Sequence, residues 1–512
     1  MARRLMIQGT GSHVGKSVIV AALCRIFANE GYEVAPFKAQ NMSLNSYVTA
    51  DGLEIARSQV FQALAARKEP VVEMNPILLK PTSEKGAQVI LKGKPVAHMT
   101  TQQYYEFQPK AVEVVKECFK RLDAENDIII IEGAGSPAEV NLRENDIVNM
   151  FIAKEFNAPV ILVGDIERGG VFAWLIGTLE LLQKEERELV KGFIINKFRG
   201  DLSILKPGLD FLEAKTGKRV LGVVPFFHHI RIQEEDSLSV SEKWRKQKEE
   251  EGIDERNMLK IAVIRLPHIS NFTDFDALSA EPDVSLRYVA DVEALRDADV
   301  IILPGSKNTI SDLLWLRERG LAAEIKRAAS EGKFIFGICG GFQMLTARIC
   351  DESGVESPLR EVEGLALLNA TTTFRSEKIT HRVKARSNLP FFKGFVEGYE
   401  IHMGTSNLTA ADAGNAGHAF TILERSMERV CEKDGAFSPE GNVIGTYIHG
   451  IFDNDAFRDA FLNFVARRRK KQMRRKRAGR GINWDFEIEK LANFVKRHID
   501  IEKIYEILGF YS

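Results

Sequence analysis

Cysteine is scarce in this 512-residue chain, which has five. That excludes a disulfide framework and fits a reducing compartment, where a single thiol is free to do chemistry. No apolar run approaches the ~20 residues a membrane span needs. The opening "MARRLMIQGTG" enters a strand-and-turn pattern with no separate apolar segment or cleavage site. Neither a membrane partner nor a signal peptide is expected, and the expected location is cytoplasmic. Net charge is also nearly missing: 71 acidic residues face 70 basic ones, so the overall balance calls for no nucleic-acid partner. Low-complexity tracts and repeats of 20–50 residues are absent. What remains is 45% hydrophobic and 28% charged, the composition of a globular chain long enough for two or three domains.

The first ~230 residues alternate short Val/Ile/Leu runs with helical patterns. The runs fall at residues 5–8, 33–37, 127–135, 158–165, 190–197 and 219–226. Near-continuous apolar strands separated by helices predict a parallel sheet covered on both faces. A charged stretch at 236–257 has no useful apolar face and reads as a linker. A second alternating series begins with "LKIAVIRLP" and continues through "ADVIILPGSKNT", "KFIFGICGGFQML" and "NVIGTYIHGIF". The fold class expected is α/β, with two doubly wound domains. Their boundaries fall at 1–235 and 258–455, followed by a helical, basic tail at 456–512. Ten of the fourteen residues from Arg467 to Arg480 are Lys or Arg, which reads as a solvated segment or as an attractor for an anionic substrate.

The stretch "LMIQGTGSHVGKSVIV" is a strand, a glycine turn and a helix start. Gly9, Thr10 and Gly15 would ring an anion with backbone N–H groups. Lys16 would reach the β/γ-phosphates of ATP, and the Ser17 hydroxyl would ligate Mg²⁺. Five residues separate the two glycines, one more than the usual phosphate loop. Glu132, at the end of the run "IIIIEGAG", faces the crevice of such a sheet and reads either as a Mg²⁺ ligand or as a strand-end turn acid.

In "FIFGICGGFQML" an apolar strand delivers Cys339 into two glycines and a helix start, a turn that exposes a nucleophile and favours thiolate. The partner base expected is His449 in "TYIHGIF". "LPGSKNT" offers Gly305 and Ser306, and Gly340 follows the cysteine; their N–H groups are candidate oxyanion donors. In "GYEIHMGTS", Glu400 and His402 alternate on a strand, and a structural or domain-contact role is at least as well supported as a catalytic one. Cys24 reads as core.

These motifs carry two resemblances. The long-spaced phosphate loop resembles dethiobiotin synthetase, and so do "FKAQNMSLNS", "GLEIARSQ", "EGAG" and "INKFRGD". That resemblance implies Lys38 near the phosphates, Glu54 as a further acidic Mg²⁺ ligand, Asn196 at the adenine edge, and activation of a carboxylate by ATP. "GICGG" with a distant His resembles class I glutamine amidotransferases of flavodoxin-like fold. Their usual Glu two residues after the His is replaced by Ile451, a departure shared with the cobyrinic and cobyric acid synthase family.

Domain order and the motifs together resemble that family, nearer its cobyric acid branch. The resemblance implies a ligase using ATP, Mg²⁺ and glutamine. It would amidate the b, d, e and g carboxylates of a small-molecule corrinoid, adenosylcobyrinic acid a,c-diamide, in cobalamin biosynthesis. Two alternatives stay open: a cobyrinic acid a,c-diamide synthase, and a ParA-like ATPase switch that binds partners. "LLKPTSEKGAQVILKGKP" reads as a β-hairpin whose lysines either meet substrate carboxylates or are simply solvated.

Overall fold

A computed structural model describes residues 1–83, 86–227, 229–233, 258–408, 417–471 and 481–511. The chain divides into two compact units. The expected linker at 236–257 lies outside the described residues, as do positions 472–480 of the basic run.

The first unit is built on a six-stranded, wholly parallel sheet. Its order is Arg219–Pro225, Val190–Phe198, Val160–Asp165, Arg3–Gly9, Ile128–Glu132 and Val34–Phe37. Each of the six apolar runs read from the sequence is one of these strands. The central ones explain why: Leu5, Ile7 and Ile128 through Ile131 are fully buried, which a strand needs when helices cover both faces. Arg3–Gly9 lies between Val160–Asp165 and Ile128–Glu132, in register from Met6↔Val160 and Arg3↔Ile128. This places Gly9 and Glu132 together at the carboxyl ends of adjacent strands, where open α/β sheets bind ligands. A smaller four-stranded sheet joins Gln40–Met42 to the strands Ile77–Ser83, Gly86–Leu91 and Lys94–Thr100, so the expected hairpin is present.

The second unit has a parallel sheet in the order Val284–Val289, Leu259–Ile264, Val300–Leu303, Phe334–Ile338 and Val443–Thr446, closed by the antiparallel Ala436–Phe437. Beside it lies a mostly antiparallel sheet dominated by Leu368–Ser387 and Phe395–Leu408. The sequence pattern gave only part of the second of these strands. Exposed and buried positions alternate along Leu368–Ser387, interrupted by a half-exposed stretch that masks the period of two.

Two boundaries differ from the sequence reading. The helices Trp484–Lys496 and Ile501–Ile507 belong to the first unit, not to a tail. Ile488, Leu491, Val495 and Ile504 are fully buried in its core, and Tyr505 packs edge-on against Phe27 at 5.4 Å. Helix Asp455–Arg468 instead joins the second core through Phe457, Phe461 and Val465. Sequence distance says nothing about which core an amphipathic helix covers, and these two sets of helices cover different ones. The basic run starts as anchored structure: Arg469 and Lys471 both pair with buried Asp299, at 3.1 and 2.5 Å. The second difference is residues 44–54, which belong to the second unit although the chain on either side belongs to the first.

Candidate functional site

In the first unit the strand Arg3–Gly9 runs into the glycine turn, and the helix Lys16–Asn29 starts immediately after it. Gly15 sits at φ +99°, a left-handed conformation that side chains rarely adopt, and a Cβ there would lie 2.1 Å from Asn196 Nδ2. Lys16 Nζ donates to the carbonyls of Gly11 (2.9 Å) and Gly135 (3.0 Å), so the lysine is curled across the loop it serves. Ser17 Oγ donates to Glu132 Oε1 at 2.8 Å, Lys38 Nζ to the same oxygen at 3.0 Å, and Gln62 Nε2 to Oε2 at 2.5 Å. Lys38 and Glu132 are almost wholly buried.

A hydroxyl touching one carboxylate fits Mg²⁺, which keeps most of its shell as water and phosphate oxygen. Ser17 and Lys38 thus converge on Glu132, while Lys16 lies across the phosphate loop. Asn196 stands beside the phosphate loop. It is buried and its Nδ2 donates to the Val14 carbonyl at 2.9 Å, so it braces the loop. Glu54 is buried, and its carboxylate pairs with Lys378.

In the second unit the strand Phe334–Ile338 ends at Cys339, which has φ 53° and ψ −111°. A non-glycine residue held there marks a strained turn of the kind that projects a nucleophile. Gly341 allows the turn to pack, since a Cβ on it would lie 1.9 Å from the Leu303 carbonyl oxygen. The Cys339 thiol donates to the Ile401 carbonyl at 3.7 Å. The candidate oxyanion residues gather at the same place. A Cβ on Gly340 would meet the Ser306 nitrogen at 2.8 Å, and one on Gly305 would meet His449 Cε1 at 3.2 Å.

What orients His449 was not legible in the sequence. The structure supplies Asp274, 175 positions upstream in the turn Phe272–Phe275. Its Oδ2 accepts from His449 Nδ1 at 2.7 Å, and its Oδ1 accepts the Gly450 N–H at 2.9 Å. Both side chains are almost fully buried. Burial alone lowers the proton affinity of the imidazole. The charge and hydrogen bond of Asp274, with the adjacent Cys339 sulfur, more than reverse this, and His449 is pushed up from 6.5 to about 10. With Nδ1 engaged, Nε2 is left for the thiol side, and no other hydrogen-bond partner occupies it. The one signal for Asp274 was an acid set among apolar residues in "NFTDF", a loop after a strand.

Tyr399 was also missed as part of this assembly. Its ring stacks on His449 at 5.3 Å, and the two backbones exchange hydrogen bonds. Its hydroxyl accepts from Asn271 Nδ2 and donates to the Ser46 carbonyl, both at 3.1 Å. Glu400 is ion-paired with Arg425 at 2.8 Å, and His402 stacks on Tyr447 at 3.8 Å, both packing roles. Burial pushes the Cys24 and Cys118 thiols up, which leaves them poor nucleophiles at neutral pH.

Residues 260–457 match the family of CobB/CobQ-like glutamine amidotransferase domains, and residues 3–233 match an AAA domain, a match that implies ATP binding. A cobyric acid synthase of Clostridium botulinum (strain ATCC 19397 / Type A) is 50% identical over 512 residues, covering 99% of this chain and 99% of its own. One from Caldanaerobacter subterraneus subsp. tengcongensis is 49% identical, covering 100% of this chain and 99% of its own. One from Thermoanaerobacter sp. (strain X514) is 49% identical and covers both chains completely. No helix among the described residues is long and apolar enough to cross a membrane.

Proposed function

This chain belongs to the cobyric acid synthase family, and from that premise we propose that it is a glutamine-dependent ligase that amidates corrinoid carboxylates. The substrate is adenosylcobyrinic acid a,c-diamide, the acceptors are its b, d, e and g carboxylates, and the product is adenosylcobyric acid. The observation that carries the reading is the Cys339–His449–Asp274 assembly with its adjoining Gly305, Ser306 and Gly340.

In the second unit, protonated His449 beside the Cys339 sulfur favours the thiolate, which attacks the side-chain amide of glutamine. The N–H groups of Ser306 and Gly340 would stabilise the developing oxyanion. His449 then gives its proton to the departing ammonia, and water releases glutamate. Asp274 keeps the imidazole in one orientation throughout and stabilises its charge. In the first unit, Lys16 and the turn from Gly9 to Gly15 hold the phosphates of ATP, and Ser17 with Glu132 would hold Mg²⁺, whose charge neutralises the phosphates. Lys38, bonded to Glu132, would meet the transferring phosphoryl group or the acceptor carboxylate. The acceptor becomes an acyl phosphate, ammonia displaces phosphate, and an amide remains. Free ammonia is mostly protonated in neutral water, which gives a physical reason to make it on the same chain.

Incubating the protein with ATP, Mg²⁺, glutamine and adenosylcobyrinic acid a,c-diamide tests this by mass spectrometry. Successive carboxylate-to-amide mass steps, four in total, are expected. ATP hydrolysis with no corrinoid mass change would defeat the proposal.

A further inference from the structure

Asn271 stands where two parts of the thiol site meet. Just before it, Ile269 and Ser270 pair antiparallel with Ser306 and Gly305, and the Lys307 N–H donates to the His268 carbonyl at 2.9 Å. Just after it comes the turn Phe272–Phe275, which carries Asp274. One short segment thus braces the candidate oxyanion residues and also supplies the acid bonded to His449. The chain changes direction between them at Asn271, whose φ of 51° and ψ of 39° are left-handed. Asparagine tolerates that conformation better than most residues, and glycine better still. The Asn271 carbonyl accepts the Asp274 N–H at 3.0 Å, so the two residues are tied.

The side chain does what a glycine could not. Asn271 is buried, and both ends of its amide are bonded. Its Oδ1 accepts the Ser46 N–H at 3.1 Å, and its Nδ2 donates to the Tyr399 hydroxyl at 3.1 Å. That hydroxyl donates to the Ser46 carbonyl, again at 3.1 Å. A backbone N–H can only donate, so Ser46 fixes which end of the amide is oxygen and the sense of the other two bonds. The three residues close a ring, and hydrogen bonds linked in this way polarise one another. Thr273 Oγ1 donates to Asn45 Oδ1 at 3.2 Å, a second tie between the same two segments. All of these residues belong to the second unit. Tyr399 in turn stacks on His449 and exchanges backbone bonds with it at 3.2 and 2.9 Å.

We propose that Asn271 is a positioning residue for glutamine hydrolysis: its ring with Ser46 and Tyr399 fixes the turn that carries Asp274, and so fixes His449 beside Cys339. The proposal rests on the glutamine-dependent reading above and deepens its first step. Without the ring, Tyr399 and the turn can shift against each other, and the imidazole they share loses its set place. Ser46 lies 225 positions before Asn271 and outside residues 260–457, the stretch that matches amidotransferase domains. That stretch therefore needs residues 44–54 to complete its thiol site.

The test uses the full-length protein with Asn271→Gly and Tyr399→Phe, singly and together. Glycine keeps the left-handed backbone and deletes both amide bonds. Phenylalanine keeps a ring against His449 and deletes the hydroxyl. Glutamate release gives kcat and KM for glutamine, with thermal unfolding read in parallel. Each single variant should lose at least about tenfold in kcat, since a small misplacement of a catalytic group costs up to about 10²-fold. KM for glutamine should move less than about threefold, because a positioning group acts on the chemical step and not on binding. The double variant should be no slower than the slower single one, because the ring is already open. A kcat within about twofold of the unaltered protein in Asn271→Gly overturns the proposal. So do losses that multiply in the double variant, or a loss that tracks the unfolded fraction and vanishes at a lower assay temperature. If Asn271→Gly does not fold, Tyr399→Phe decides by the same kcat criterion. If the unaltered protein releases no glutamate from glutamine, the glutamine-dependent reading fails and takes this role with it. If it does so normally and the variants match it, only the role of Asn271 fails.

Discussion

Replacing Asp274 with Asn removes a charge but keeps the size of the side chain. Two contacts are at stake: the 2.7 Å bond to His449 Nδ1 and the 2.9 Å bond from the Gly450 N–H. With the carboxylate present, His449 lies at about 10. At pH 7.5 more than about 99% of it is imidazolium. Without the carboxylate the largest support for the charged form is gone, and burial pulls the imidazole back down, so a smaller share of it is charged at the same pH.

A smaller imidazolium fraction means less thiolate and a slower glutaminase step. Loss of the fixed tautomer adds to it, and removing a comparable carboxylate from a catalytic triad costs about 10⁴. The expected loss is up to about 10⁴-fold. The assay is glutamate release from glutamine across pH 6–10, with ammonium-supported amidation as the control for the first unit. The sign for stability follows from the same shift. A histidine raised on folding contributes stability that is complete below pH 6.5 and fades as pH climbs from there through about 10. Asp274→Asn should thus flatten the decline of melting temperature over that window. A variant that keeps glutaminase within twofold, with an unchanged pH profile, would refute the assignment of Asp274.

Cys339→Ala should abolish glutamine use while leaving amidation at high ammonium, checked by product mass. Glu132→Gln should depress ATP-dependent turnover at least about a hundredfold and leave basal glutaminase intact, because the Ser17 and Lys38 contacts converge on that one carboxylate. Gly15→Ala should weaken nucleotide binding and lower stability by about 1–3 kcal/mol, given φ +99° and the clash with Asn196, as read by calorimetry. Removing residues 484–512 should yield aggregated protein. Four fully buried side chains, Ile488, Leu491, Val495 and Ile504, leave the first core, at about 1.5–3 kcal/mol each, as solubility and thermal unfolding would show.

Both chemical centres were partly legible because each rests on a local motif. A glycine turn between a strand and a helix fixes where Lys16 and Ser17 stand, and a glycine-flanked cysteine fixes the elbow at Cys339. The parallel strands were legible for a related reason: burial on both faces demands continuous apolar runs such as "DIIIIEGAG". The half-exposed stretch in Leu368–Ser387 erased that kind of signal, and the antiparallel sheet went unread. The contact of the Asn196 amide with the Val14 carbonyl is of the other kind: it joins positions 182 apart, which no motif spacing shows.

By itself, then, the sequence determined two phosphate- and thiol-bearing turns, two α/β series and the residue types needed for each reaction. Tertiary structure alone decided which distant groups complete them: Asp274 beneath His449, Tyr399 stacked on it, and the C-terminal helices on the first core. The physical reason is range. Turn geometry and strand burial are set within about ten neighbouring residues, whereas a carboxylate 175 positions away meets an imidazole only after the sheet that carries both has closed.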